Sequence, residues 1–229
     1  MMNILAPSML SVDFGHMERD LKRTVDAGVD MIHVDIMDGQ FVPNISFGPP
    51  VIKYVRKAVP DAILDVHMMV KNPSRYFERF VSLGAGIITI HAEATDNLRN
   101  DLLLIRDIGR DIGADVGLKN GVKVGVAISP DTSITEIEYV MDIVDMVLVM
   151  SVYPGFGGQK FIGNTIAKVE RLRTLIARSG SKALIEVDGG VQEDTAPQLV
   201  KAGADVLVSG SYVFKASQPE AVIHWMKTL

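Results

Sequence analysis

The chain has 229 residues, 48% of them hydrophobic and 22% charged, which suits one large α/β domain or two small ones. Its 28 acidic and 23 basic residues give a formal charge of −5, which argues against nucleic acid or a membrane surface as a partner. The lack of cysteine excludes disulfides, thiolate metal ligands and cysteine nucleophiles. The N-terminal segment lacks the basic start of a secretory signal, and no apolar run is long enough to span a bilayer. We therefore expect a cytoplasmic protein.

Short apolar runs alternate with longer amphipathic stretches. In chain order the runs are NILAPSML, MIHVDIM, AILDVHMMV, IITIHAE, VKVGVAIS, DMVLVMSV, ALIEVDGG and DVLVSGS. Each is predicted to be a strand, because short apolar runs bounded by turn residues are typical of buried strands. Helical patterns such as HMERDLKRTVDAG, SRYFERFVSLG and NTIAKVERLRTLIARSG lie between them, and several end in glycine. The sequence thus predicts eight strands and eight helices.

Eight strand–helix units in this length predict an α/β fold, a single-domain (β/α)8 TIM barrel covering residues 1–229. A doubly wound open sheet is the alternative, but it usually has fewer strands and a glycine-rich turn after the first. The first run here leads into SMLSVDFGHM, which contains no GxGxxG. The barrel locates the active site, because catalytic residues of this fold lie at the carboxyl ends of the strands.

Four possible metal ligands fall at predicted strand ends. His33 and Asp35 share one face of strand two, His67 lies on strand three, and Asp188 ends strand seven. A lone histidine on a strand is usually a satisfied core residue, but four such groups aimed into one barrel mouth need a partner. Two nitrogen and two oxygen ligands suit Zn²⁺, Fe²⁺, Mn²⁺ or Co²⁺. A divalent metal ion is therefore the predicted cofactor.

Glycines follow the last three strands, in PGFGG, VDGG and GS. Barrels often bind phosphate through backbone N–H groups of the loops after strands seven and eight, and glycine permits a close approach. A single glycine-rich turn is usually only a tight turn, whereas three in adjacent loops favour a phosphate site. Met37, Met69 and Met150 end strands two, three and six. Methionine mostly fills cores, but here it would line a charged centre and exclude water.

A metal and two carboxylates beside a phosphate site favour enolisation of a phosphosugar ketone. Strands two and seven lie three steps apart in an eight-stranded ring, so Asp35 and Asp188 can face opposite sides of a planar enediolate. A base on one side and an acid on the other invert a stereocentre, which predicts an epimerase. Glu186 shares the inward face with Asp188, and we interpret it as a structural acid paired with Lys123 on strand five.

The segments APSMLSVDF, HVDIMDGQFVPN, HMMV, HAE, VYPGFGGQKF, VDGG and GSYVF resemble, in this order, the motifs of the ribulose-phosphate 3-epimerase family. The resemblance implies interconversion of D-ribulose 5-phosphate and D-xylulose 5-phosphate in the pentose phosphate pathway, by a homo-oligomer. It implies that Asp35 and Asp188 are the acid–base pair and that both bind the metal with His33 and His67. Asp188 would also contact the substrate. The remaining implied substrate contacts are Ser8, His67, Gly155, Phe156, Gly157, Gly158, Gly189, Gly190, Gly210 and Ser211. The three methionines match the family's apolar cap.

Three alternatives stay open. A D-allulose 6-phosphate 3-epimerase would share nearly every motif, and a non-catalytic phosphosugar-binding barrel would share the fold. A decarboxylase of similar fold would need a lysine between carboxylates on a strand, and HVDIMD has none. The sequence departs from the family in residues 106–121, where RDIGRDIGADVGLKNG makes a long connection with a doubled RDIG. We expect it to lie opposite the active site and to affect stability or assembly rather than chemistry.

Overall fold

The computed structural model describes residues 3–118 and 121–229. Its strands are β1 (Ile4–Ala6), β2 (Met31–Met37), β3 (Ile63–Met69), β4 (Ala85–His91), β5 (Lys123–Ile128), β6 (Met146–Met150), β7 (Leu184–Asp188) and β8 (Val206–Val208). All pair in parallel in the order β1-β8-β7-β6-β5-β4-β3-β2. The two ends of this sheet meet where Ser8 bridges to His33, whose N–H donates to the Pro7 carbonyl at 3.0 Å. The predicted (β/α)8 barrel is confirmed.

Helices cover the outside of the barrel. The α-helices in the described residues are α1 (Met17–Asp26), α2 (Pro49–Ala58), α3 (Phe77–Ser82), α4 (Leu98–Ile112), α5 (Asn164–Ser179), α6 (Ala196–Ala202), α7 (Ser211–Phe214) and α8 (Pro219–Lys227). The strands are not each followed by a single α-helix. A 3-10 helix (Ile134–Val140) connects β5 to β6, and two α-helices follow β8. Within the described ranges, each helix is too short or too polar to cross a membrane.

The barrel separates an apolar outer layer from a largely polar interior near its mouth. On β2, the side chains of Val34 and Ile36 belong to the main core between sheet and helices. His33, Asp35 and Met37 alternate with them and therefore point into the barrel. Apolar side chains point inward nearer the amino ends of the strands, among them Met31, Ile87 and Met146. The barrel interior is therefore mainly apolar near the amino ends of the strands and carries titratable groups near their carboxyl ends.

The connection formed by residues 106–121 is more regular than its length suggests. Helix α4 continues to Ile112, so both copies of RDIG begin within it, and a 3-10 turn (Ala114–Val116) follows. Gly109 lies so close to Val122 that a Cβ there would come within 2.8 Å of it. Lys119 and Asn120 lie outside the described residues. The segment leads into the amino end of β5, opposite the carboxyl ends that form the site, as predicted.

One glycine inside the barrel generates a stability prediction. Gly125 on β5 lies beside Thr89 on β4, and a Cβ on Gly125 would lie 2.1 Å from Thr89 Oγ1. Gly125→Ala is therefore expected to lower the free energy of unfolding by about 1–3 kcal/mol, because well-packed interiors resist added atoms. Urea unfolding of the variant measures the loss.

The matched partner is Thr89→Ala, which removes the atoms nearest to the new methyl group. The double variant should recover part of the loss, giving a coupling of at least about 0.5 kcal/mol. Strictly additive effects of the two substitutions would contradict this packing account.

Candidate metal and substrate site

The carboxyl ends of β2, β3 and β7 bring four ligand side chains together. Parallel pairing sets Asp35 beside His67, and Asp188 projects from the end of β7, across the mouth. One ligand atom each from His33, Asp35, His67 and Asp188 can be chosen so that all lie within 4.8 Å of one another. His33 Nε2 lies 3.4 Å from Asp35 Oδ1 and 3.9 Å from Asp188 Oδ2, and His67 Nδ1 lies 3.1 Å from Asp35 Oδ1. The predicted convergence is thus present.

The hydrogen bonding of His33 fits a metal ligand. Its Nδ1 lies 2.5 Å from Asp65 Oδ2, and its Nε2 is buried without a hydrogen-bond partner among the described residues. Metal-binding histidines usually donate one ring N–H to a carboxylate or carbonyl and present the other nitrogen to the ion. His33 is arranged in this way, with Nε2 facing two carboxylates. The residues present therefore fit a divalent cation.

The electrostatics of the cluster favour positive charge at its centre. Burial alone would lower the pKa of the His33 imidazole, but the Asp65 and Asp35 carboxylates outweigh it and raise that pKa well above its usual value. Burial would raise the pKa of Asp35, yet the charge of His33 and the hydrogen bond from His67 hold it well below its usual range. Burial and the nearby Asp35 charge raise the pKa of Asp188 to about 7. A bound cation would relieve that carboxylate repulsion.

The ring of His67 is neutral in this environment. It is fully buried, and burial lowers the pKa of His67 to about 4 despite the hydrogen bond to Asp35. A neutral imidazole has a free lone pair on one nitrogen and can therefore bind a metal ion. His67 thus needs no deprotonation near neutral pH before it can act as a ligand.

A second acidic cluster lies beneath the first, where His33 Nδ1 approaches both Asp65 and Glu186. Glu186 is fully buried, and neither of its oxygens has a hydrogen-bond partner among the described residues. Burial and the negative charge of Asp65 raise the pKa of Glu186 well above its usual value. The interpretation of Glu186 as a structural buried acid fits this position.

The predicted pair between Glu186 and Lys123 is wrong. The register of β5, β6 and β7 sets Glu186 level with Ala127, four residues further along β5 than Lys123. Lys123 lies at the amino end of β5, its side chain is 60% exposed, and its Nζ lies 3.5 Å from Asp145 Oδ1. The inward face alone does not make two residues neighbours, because they must also share a layer of the barrel.

A cleft of about 550 Å³, including its part open to solvent, lies above the ligand cluster. Most of the predicted substrate residues line it: Ser8, Asp35, Met37, Met69, Met150, Gly155, Phe156, Gly157, Gly158, Asp188, Gly189, Gly190 and Gly210. His33 and His67 are buried below its floor, and Ser211, the first residue of α7, is not among the lining residues. Sequence reasoning missed other lining residues, among them Leu10, Ser11, Val152, Tyr153 and Gln159.

The methionines and Ser8 lie where the sequence predicts. Met37, Met69 and Met150 are each at most 4% exposed and line the cleft around the acidic groups. The Ser8 hydroxyl donates to Asp35 Oδ2 at 2.6 Å and so orients the carboxylate from the side of β1. The charged centre is therefore bordered by apolar side chains and by one hydroxyl.

The loop after β7, part of the predicted phosphate site, depends on glycine at two positions. Gly189 has a φ of +116°, and a Cβ there would lie 2.4 Å from the Val152 side chain. Gly190 has a φ of +61°, and a Cβ there would lie 2.9 Å from the Phe161 nitrogen. A side chain at either position would be strained and crowded. Glycine at these positions therefore lets the loop after β7 pack closely against the loop after β6.

Side-chain amides hold the loop after β6 in place. The Gln159 amide donates to the carbonyls of Tyr153 and Phe156 at 2.6 and 2.8 Å. The Asn44 amide, from the loop after β2, donates to the Gly155 carbonyl at 2.7 Å. Three carbonyls of this glycine-rich loop therefore accept hydrogen bonds from side-chain amides, and the loop borders the cleft.

Fold and site define a (β/α)8 barrel with a candidate divalent-metal centre and an adjoining cleft at its mouth. The chain matches the model of the Ribulose-phosphate 3 epimerase family over residues 4–214. It is 43% identical over 220 residues to the ribulose-phosphate 3-epimerase of Bacillus subtilis strain 168, covering 96% of this chain and 95% of that protein. It is 40% identical over 225 residues to that of Escherichia coli K12, covering 98% and 95%. The chain belongs to the ribulose-phosphate 3-epimerase family and is an epimerase.

Solved structures of much lower sequence identity share the barrel fold. The crystal structure of KGPDC from Streptococcus mutans matches with a TM-score of 0.71 at 14% identity, covering all of this chain and 97% of that one. A 3-hexulose-6-phosphate synthase matches with a TM-score of 0.65 at 20% identity, covering 100% and 99%. At these identities the likeness establishes the fold alone.

Proposed function

We propose that this enzyme interconverts D-ribulose 5-phosphate and D-xylulose 5-phosphate, a step of the pentose phosphate pathway, by metal-dependent two-base proton transfer at C3. The observation that carries the proposal is the pair of carboxylates, Asp35 and Asp188, at the floor of a glycine-bordered cleft. The names of the similar curated proteins support the substrate pair. The geometry supports the division of roles described below.

The two aspartates approach the cleft from different sides. Asp35 lies on β2 and Asp188 lies on β7. In the ring of strands, β1 and β8 lie between β2 and β7. A planar enediolate lying between them would present one face to each carboxylate. In each direction of the reaction one aspartate removes the C3 proton and the other supplies a proton to the opposite face. Ser8 stabilises the ionised form of Asp35 through its hydroxyl.

The cluster formed by His33, Asp35, His67 and Asp188 would hold the divalent ion. When bound, such an ion polarises the substrate ketone and stabilises the negative charge of the enediolate oxygens. Met37, Met69 and Met150 border the same space, and their apolar side chains would shield the carbanion face from water. Exclusion of water limits exchange and side reactions of the enediolate.

Backbone amides of the loops after β6, β7 and β8 would hold the phosphate. Gly157, Gly158, Gly189, Gly190 and Gly210 all border the cleft. Backbone N–H groups in such loops bind anions without any basic side chain, which agrees with the acidic balance of the chain. The cytoplasmic location and the homo-oligomer expected from the sequence remain predictions.

The function is tested by turnover. The enzyme should be stripped of metal and reloaded separately with Zn²⁺, Mn²⁺, Co²⁺ and, anaerobically, Fe²⁺, then assayed with D-ribulose 5-phosphate and D-allulose 6-phosphate. We expect kcat/KM to be at least about tenfold higher for the five-carbon substrate, because one misplaced group costs at least this factor. A preference for the six-carbon substrate would assign the other epimerase activity, and full turnover without metal would refute the metal dependence.

The two-base mechanism predicts different partial reactions for two variants. Asp35→Asn and Asp188→Asn should each abolish net epimerisation in both directions. Each metal-loaded variant should still exchange the C3 proton of one epimer with D₂O, because the base on that face remains. The two variants should spare opposite epimers, and NMR of the C3 proton measures the exchange.

Metal content of each variant must first be shown to equal that of the parent, because both aspartates lie in the ligand cluster. If one variant exchanged the C3 proton of both epimers at equal rates, a single residue would serve both faces. That result would contradict the division of roles between Asp35 and Asp188.

A further inference from the structure

A line of hydrogen bonds leads from the ligand cluster to the edge of the barrel through residues that the proposed chemistry does not use. His67 Nε2 lies 2.9 Å from His91 Nε2, and His91 Nδ1 lies 3.0 Å from Glu93 Oε2. His91 is fully buried, and the ring of Phe41 packs against it with 4.8 Å between centroids. Both histidine rings are therefore held in fixed orientations.

The protons on the two histidine rings can be assigned if His67 Nδ1 is required to supply a lone pair to a cation. His67 Nδ1 lies 3.1 Å from Asp35 Oδ1, so Nδ1 is the nitrogen that faces the ligand cluster. A neutral imidazole carries one N–H and one lone pair. If Nδ1 supplies the lone pair to a cation, the proton of His67 lies on Nε2 and is donated to His91 Nε2. His91 must then accept at Nε2 and carry its own proton on Nδ1, facing Glu93.

Glu93 is built to keep that proton in place. Its Oε1 accepts from the Ser129 backbone N–H at 2.8 Å and from the Thr132 hydroxyl, while its Oε2 faces His91. A carboxylate accepts hydrogen bonds and offers none. The reversed tautomer of His91 would set a lone pair on Nδ1 against this carboxylate, which is repulsive. Glu93 therefore selects the proton arrangement in which His67 Nδ1 carries a lone pair, so that a cation must take the place of the proton that Nδ1 otherwise donates to Asp35 Oδ1.

We propose that Glu93 and His91 are positioning residues that fix the tautomer of His67 and so present its Nδ1 lone pair to the divalent cation. The proposal rests on the proposed function, because it takes His67 as a ligand. It adds that the affinity for metal depends on a carboxylate two hydrogen bonds away from that ligand. The tautomer of His33 is fixed in the same way but directly, because its Nδ1 contacts the Asp65 carboxylate.

Glu93→Gln is the informative variant. Its amide oxygen can keep the contacts to Ser129 and Thr132, while its NH₂ group, facing His91, can donate to Nδ1 and permit the reversed tautomer. Zn²⁺ affinity, measured by competition with a chelating indicator, should fall by about 10–100-fold, the usual effect of losing such an outer partner. Thr132→Val is the matched control, since it removes a contact to Oε1 only, and it should change affinity by less than about threefold, a small fraction of the expected loss.

A second measurement, on the parent enzyme, locates the protons on the two histidine rings. In ¹⁵N NMR of the Zn²⁺-loaded parent enzyme, we expect His67 to be protonated at Nε2 and His91 at Nδ1 only. Protonation of His91 at Nε2, unchanged affinity in Glu93→Gln, or equal losses in both variants would each overturn the proposal. If the parent enzyme bound Zn²⁺ and required metal for turnover, these failures would leave the proposed function intact. A parent that bound none of Zn²⁺, Mn²⁺, Co²⁺ and Fe²⁺ at any concentration tested would overturn both.

Discussion

The mutual repulsion of the carboxylates of Asp35, which is buried, and Asp188, which is partly exposed, is the constraint on which the barrel mouth depends. Asp35 and Asp188 lie with two buried histidines in a space less than 5 Å across, where water supplies little screening. Isolated burial of such charges costs several kcal/mol each. A divalent cation compensates both charges at once, and the orphaned Nε2 of His33 faces the place where it would lie. The same arrangement that needs a cation would activate a ketone bound to it.

The barrel makes this concentration of polar groups possible. Strand alternation divides each strand into a face packed against helices and a face turned inward, so a single seven-residue strand supplies His33, Asp35 and Met37 to one site. Register then decides which inward side chains become neighbours: Asp35 lies beside His67, and Met150 beside Asp188. Supporting groups come from the neighbouring strand, as Asp65 of β3 does for His33 of β2 and His91 of β4 does for His67 of β3.

Much of this could be predicted from the sequence, because the information is local. Period-two alternation in MIHVDIM fixes which β2 side chains face inward. The predicted strand ends place His67, two residues before the end of β3, and Asp188, the last residue of β7, near the mouth. Long-range register was not accessible in this way. Glu186 and Lys123 share the inward face but lie in different layers, so the predicted pair is wrong. Likewise, the segment HAE contains His91 and Glu93, but the sequence does not show that the ring of His91 on β4 contacts the ring of His67 on β3.

The central claim is that one cation occupies the cluster at the mouth rather than the deeper acidic cluster. Anomalous diffraction from crystals of the Zn²⁺-loaded enzyme, recorded on both sides of the zinc edge, tests it most directly. The account predicts a single peak coordinated by His33 Nε2, Asp35, His67 Nδ1 and Asp188. A peak among His33 Nδ1, Asp65 and Glu186, or coordination of His67 through Nε2, would contradict it.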